Sequence, residues 1–249
     1  MNKTHKKNQI LFLDIETVTE SPAYRLLSED IQALWNHKAS MLRLTAKNGF
    51  LDNETMYESK AGIYSEFSKV ICISILHYYQ VDEKGYVESQ SFYPKKEADL
   101  LSQFGAYLDA KFDKVNNVKI VGHNIREFDI PFIARRMLIK EVKLPKVFRI
   151  GGKKPWQIEH LVDTMSLWKF GDFKNYTSLN LLAKILNVPS PKEELDGSKV
   201  HNAYWLYNDL PGIVKYCEKD VLTTAKVFYK LKQKPYPKEL MNYMNLSTN

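Results

Sequence analysis

A chain of 249 residues, 44% apolar and 26% charged, is long enough to bury one sizeable core without staples, and its ordinary composition excludes fibrous and disordered classes. Its 36 Lys+Arg against 29 Asp+Glu leave a formal charge of +7, which suits a phosphate-bearing partner without identifying one. Cys72 and Cys217 make neither a disulfide framework nor a metal-ligand spacing, no apolar run approaches roughly 18 residues, and the basic start leads into a strand instead of a signal-peptide core, so a cytoplasmic setting is expected.

The first element is the run ILFLDIETVTE from Ile10, which reads as a strand. Asp14 and Glu16, two residues apart, share one of its faces. Burying two carboxylates is costly unless something neutralises them. The plain alternative is an edge strand with a solvated polar face, since a D-x-E pair arises about once by chance in such a composition. Residues 20–66 are polar and mixed, with helix-like pieces, and read as an insertion or surface flap within one domain spanning 1–249.

KVICISILHYYQVDEKGYVESQSFYP reads as two β-rich runs joined at DEKG, a hairpin signal. In EADLLSQFGAYLDAKF, Leu100, Leu101, Phe104, Tyr107 and Leu108 make one helical stripe. VKIVGHN is a short strand and DIPFIARRML a helix, with Pro131 tolerable in its first turn. EHLVDTMSLW runs from strand into helix, SLNLLAKILN is an amphipathic helix, and LPGIVKYCEKDVLTTAKVFYKLK is a long one with Pro211 near its start. Hairpin-linked strands followed by alternating strands and helices predict an α/β domain with a mixed sheet.

Two more acidic positions join the first pair. GHNIREFDIPF places Asp129 after a strand and at a helix start, where its plain role is an N-cap. In YCEKD, Tyr216 and Asp220 are four apart and share a helix face, flanking the stripe of Val214, Cys217, Val221, Ala225 and Phe228.

DIET, NIREFD and YCEKD stand in the order of the three exonuclease motifs of the DEDD superfamily. With Tyr216 before Asp220, and Lys215 where the sister subclass carries His, the chain resembles the DEDDy branch. The text from VDTMSLWKF to VHNAYW is similar to predicted stand-alone 3′-5′ exonucleases related to the proofreading domain of family-B DNA polymerases. The resemblance implies a ribonuclease H-like fold and release of nucleoside 5′-monophosphates from 3′ ends. It implies two Mg²⁺ or Mn²⁺ ions on Asp14, Glu16, Asp129 and Asp220, hard cations that prefer oxygen ligands. Asp14 would bridge both ions, Glu16 and Asp220 would hold the one on the nucleophile side, and Asp129 would act on the other.

Tyr216, whose phenol ordinarily titrates near pH 10, is expected to orient the attacking water and not to serve as a base. Asn124 and Phe128 are candidates for gripping the last nucleotides, since an aromatic face stacks on any base, and Lys174 is a candidate phosphate contact beside Tyr176. Asp163 is expected to cap or turn, and His123 to be structural. Single-stranded DNA ends lead as substrate. RNA 3′ ends, as trimmed by ribonuclease D-like members, are the alternative, because 2′-hydroxyl contacts are not written in the motifs. A noncatalytic nucleic-acid-binding module is the rival from another class.

Overall fold

β1 (Lys7–Thr19) owes its place to being apolar on both faces. Leu11, Leu13 and Ile15 point to one side, and Phe12 and Val18 to the other. A strand with two faces to bury needs a covered position between neighbours, and β1 takes it. The computed structural model describes residues 7–45, 51–112, 118–172, 176–189 and 197–246. Among them β1, β2 (Ser68–Val81), β3 (Lys84–Phe92), β4 (Val118–Gly122) and β5 (Leu161–Asp163) form a five-stranded sheet in the order β3-β2-β1-β4-β5. β1 is antiparallel to β2 and parallel to β4, and β5 is parallel to β4. This mixed α/β sheet agrees with the ribonuclease H-like fold expected from the sequence.

The hairpin between β2 and β3 turns on Asp82 and Glu83, with φ of 48° and 65°. That pair of left-handed residues is what a two-residue turn matched to the sheet twist requires, and it forms here without glycine at the centre. Gly85, part of the sequence signal, lies in β3.

On the Leu11/Leu13/Ile15 side pack α3 (Glu97–Lys111) and α4 (Asp129–Ile139), which contribute Leu100, Leu101, Phe104, Leu108, Ile130 and Ile133 to the largest core cluster. On the Phe12 side lies α8 (Leu210–Leu231), which buries Val221, Ala225 and Phe228 against Phe12 and Val121. α9 (Lys238–Leu246) adds Leu240 and Met244, and α7 (Val200–Trp205) covers Val18 and Ile71. Neither α7 nor α9 was expected from the sequence. α5 (Thr164–Lys169) follows β5 directly, and α6 (Leu179–Ile185) packs Leu182 and Ala183 with Val227 of α8.

Between β1 and β2, α1 (Glu29–Thr45) and α2 (Asn53–Lys60) build a lobe with its own cluster. Trp35 and Tyr57 are fully buried there with Phe67, and the indole donates to the Asn53 carbonyl at 2.8 Å. The lobe is tied to the body by Arg136, only 2% exposed. Its guanidinium donates twice to Glu97, at 2.8 and 2.6 Å, and also to Glu20 at 2.7 Å and to the Ser65 carbonyl at 2.9 Å. Glu97 accepts in addition from the Val70 amide at 2.8 Å. One satisfied buried cation thus joins α4, α3, β2 and both ends of the lobe.

Candidate active site

Alternation along β1 sends Asp14 and Glu16 to the same side as Phe12 and Val18, beneath α8. Glu16 is buried and Asp14 partly so. Directly after Glu16 the pairing slips: Glu16 faces Cys72 while Thr17 faces Val70, leaving Ile71 as an extra residue. Such a bulge bends β2 and increases the local twist of the pair beside Glu16.

Asp129 arrives from the parallel neighbour. β4 ends at Gly122, where a Cβ would meet the Ile125 side chain at 2.7 Å, so only glycine lets the following loop fold back this closely. Asn124 takes a left-handed φ of 62° and the chain then enters α4 at Asp129. The sequence reading gave Asp129 a plain alternative as N-cap. In the structure the cap position is Phe128, without a side-chain cap, and Asp129 is the first helical residue. Its carboxylate is 2% exposed and accepts from the Ile15 amide between Asp14 and Glu16.

Asp163 organises this loop from below. One of its oxygens accepts from the amides of Asn124, Met165 and Ser166 at 3.0, 2.9 and 3.3 Å, and the other from Arg126 at 3.3 Å. It therefore caps α5 and fixes the β4–α4 loop, the capping role expected for it. His123 is held by Thr164 Oγ1 at 2.9 Å and by the Thr177 carbonyl at 2.7 Å, as a structural histidine would be.

α8 crosses above β1. Its Cys217 Sγ donates to the Asp14 carbonyl at 3.4 Å and to Asp14 Oδ2 at 3.5 Å. Tyr216 and Asp220 stand partly buried on the flank of that helix, one turn apart. Among the described residues, ligand atoms of Asp14, Glu16 and Cys217 lie within 4.8 Å of one another.

The electrostatics show that the four acids share one field. Burial raises the Asp14 carboxyl well above its ordinary range, and the charges of Asp220, Asp129 and Glu16 push the same way against the Cys217 hydrogen bond. Glu16 is raised well by burial, then by Asp220, Cys72 and Asp129. Asp129 is raised to about 7, by burial first and then by Asp163, with backbone hydrogen bonds opposing. Like charges gathered in a poorly solvated place cannot all ionise without a cation. The donor set is one of hard carboxylate oxygens short of positive charge, and so fits a divalent ion such as Mg²⁺ or Mn²⁺.

Of the proposed substrate contacts, Asn124 sits in the β4–α4 loop with a buried Oδ1 that has no hydrogen-bond partner. Phe128 is half-buried against the main core, its ring 5.5 Å from Phe132. Lys174 lies outside the described residues. Tyr176 stands 64% exposed beside His123. Partial burial of its hydroxyl, followed by the charges of Asp129, Asp14, Asp220 and Asp163, raises its pKa. The YTS loop signal is visible in the sequence, but not that Tyr176 feels the charge of carboxylates from four other segments. In the sequence Cys217 belongs to a core stripe and makes no metal-ligand spacing with Cys72, whereas in the fold it stands beside Asp14 and Glu16.

A family model described as "predicted 3′-5′ exonuclease related to the exonuclease domain of PolB" matches residues 63–242. The match includes Asp129, Tyr216 and Asp220, while Asp14 and Glu16 lie before it. No curated protein matches the chain.

Proposed function

Since the chain belongs to the family of predicted 3′-5′ exonucleases related to the exonuclease domain of PolB, we propose that Asp14, Glu16, Asp129 and Asp220 are its metal ligands and that it shortens single-stranded DNA from the 3′ end by the two-metal mechanism. The observation that carries this reading is that the Asp14 and Glu16 carboxyls of β1, raised chiefly by burial, are both raised further by the charges of Asp220 from α8 and Asp129 from α4. A pair of Mg²⁺ or Mn²⁺ ions would supply charge neutralisation at the scissile phosphate and a nucleophile competent near neutral pH.

The chain's own groups do the positioning. Asp14, on the central strand, would be shared between the two ions, with Glu16 and Asp220 as further ligands. Asp129, at the start of α4, would act on the other ion. Tyr216, one turn before Asp220, orients the attacking water, because a phenol with its ordinary pKa near 10 is a poor base at neutral pH. Asn124 and Phe128 contact the terminal nucleotides from the β4–α4 loop, and Lys174 a phosphate. The basic balance of the chain supports a polyanionic substrate. The whole chain acts as one exonuclease domain, with the lobe formed by residues 20–66 as an insertion. No helix among the described residues is long and apolar enough to cross a membrane.

The test is incubation with 5′-labelled DNA and RNA oligonucleotides in Mg²⁺, in Mn²⁺ and in chelator, beside Asp14→Ala. A metal-dependent ladder receding from the 3′ end of DNA, faster than of RNA and absent in the variant, is expected. Preferential shortening of RNA would replace the substrate assignment. Cleavage in chelator, or by the variant at the wild-type rate, would refute the metal platform.

A further inference from the structure

The carboxylate platform contains one donor that hard-ion chemistry does not use. Cys217 Sγ sits 3.5 Å from Asp14 Oδ2, and both lie within 4.8 Å of a ligand atom of Glu16. Tetrahedral zinc, with bonds of about 2.0–2.3 Å to oxygen and sulfur, places neighbouring ligand atoms roughly 3.5 Å apart. The thiol and the carboxylate already have that spacing. A second thiol, that of Cys72, is the partner of Glu16 across the β1–β2 ladder and lies within hydrogen-bonding reach of Cys217. Both cysteines are fully buried and carry no disulfide.

We propose that Asp14, Glu16 and Cys217 form a site for one thiophilic divalent cation of the zinc and cadmium class, which excludes the hard ions of the nuclease site. Soft sulfur contributes little to Mg²⁺, which demands oxygen, whereas it strengthens binding of Zn²⁺ and Cd²⁺. On binding, the Cys217 thiol gives its proton to solvent, a sulfur–metal bond forms and a metal-bound water leaves, with no change of oxidation state. The ion enters from the Asp14 side, the partly open one of the three. Because Asp14 would be common to both kinds of ion, occupation by the soft ion would block Mg²⁺. The blocking rests on the exonuclease reading, while the existence of the site does not.

The first measurement is therefore made without substrate. Cd²⁺ is titrated into metal-free protein while the ultraviolet sulfur-to-cadmium charge-transfer absorption is followed, in wild type, Cys217→Ser, Cys217→Ala and Cys72→Ser, with circular dichroism verifying the fold of each. A band saturating at one ion per chain in wild type and in Cys72→Ser, and lost in both Cys217 variants, is expected. Absence of the band in folded wild type, or its persistence in either folded Cys217 variant, would overturn the assignment. Failure of both Cys217 variants to fold passes the decision to the Cys72 variant and to wild-type stoichiometry, where loss of the band in Cys72→Ser or a ratio other than one refutes the proposal. In the second arm, Zn²⁺ is added to nuclease reactions in excess Mg²⁺. With each protein's rate scaled to its own rate in Mg²⁺ alone, half-inhibition of wild type at a Zn²⁺ concentration at least tenfold below that for Cys217→Ser is the expected result. Equal Zn²⁺ sensitivity would refute the blocking. If neither protein cleaves DNA or RNA, the exonuclease reading fails and the absorption result still stands.

Discussion

Replacing Asp129 by Asn should make the metal-free protein more stable at neutral pH while destroying its activity. In the fold this carboxyl titrates at about 7, against an ordinary 3.8, chiefly because it is buried. Between those two values the unfolded chain has released a proton that the folded chain keeps. Stability therefore falls as pH rises from about 4 to about 7, and the full cost stands above 7. At about 1.4 kcal/mol for each pH unit separating the two states, Asp129 alone costs roughly 4 kcal/mol. Asp14 and Glu16 are raised as well, so the cluster releases its protons as a unit and the variant relieves the group. Urea denaturation in chelator at several pH values measures this directly. We expect Asp129→Asn to gain about 2–4 kcal/mol at pH 8 and almost nothing at pH 4. Saturating Mn²⁺ should stabilise wild type, by about 2.7 kcal/mol at a hundredfold excess over its Kd, and so narrow the gap. A variant no more stable than wild type at pH 8 in chelator would contradict the claim that burying the Asp129 charge costs the fold stability.

Other perturbations separate the roles of neighbouring residues. Tyr216→Phe should lower turnover by about 10²-fold, the scale of a misplaced nucleophile, with Mn²⁺ affinity retained; an unchanged rate would remove it from the reaction. Arg136→Ala leaves Glu97 buried without its bidentate partner and should cost about 3–5 kcal/mol in chemical denaturation. A loss under about 1 kcal/mol would show that water can replace the guanidinium. Asp163→Ala removes the acceptor of four backbone amides and should cost about 2 kcal/mol or more while also reducing turnover, because the loop carrying Asp129 loses its anchor. Equal stability and rate in that variant would contradict the organising role.

Much of this was legible where local pattern and local chemistry coincide. The alternation that places Asp14 and Glu16 on one face is a property of consecutive residues, as is the four-residue spacing of Tyr216 and Asp220. The hairpin, the stripe of α3 and the long α8 were readable for the same reason. What could not be read was set by partners far away in sequence. Arg136 meets Glu97 and Glu20 across separations of 39 and 116 residues, and nothing in ARRML shows which arginine is buried. The lobe read as a flap because its anchor, Trp35, packs on Tyr57 and Phe67 beyond a polar stretch. α7 is too short for a helical period to show, and α9 follows a segment with two prolines. Cys217 obeys the core stripe of α8 and also touches Asp14, a second role that only the crossing of α8 over β1 creates.

The most direct test of the account is a count of Mn²⁺ bound to the wild-type chain and to Asp14→Ala, read from the electron paramagnetic resonance of the free ion in the presence of a nucleoside 5′-monophosphate. Two ions per wild-type chain and loss of both positions in the variant are expected. A wild-type chain that binds none, or a variant that still binds two, would contradict the claim that these buried carboxylates are a metal platform.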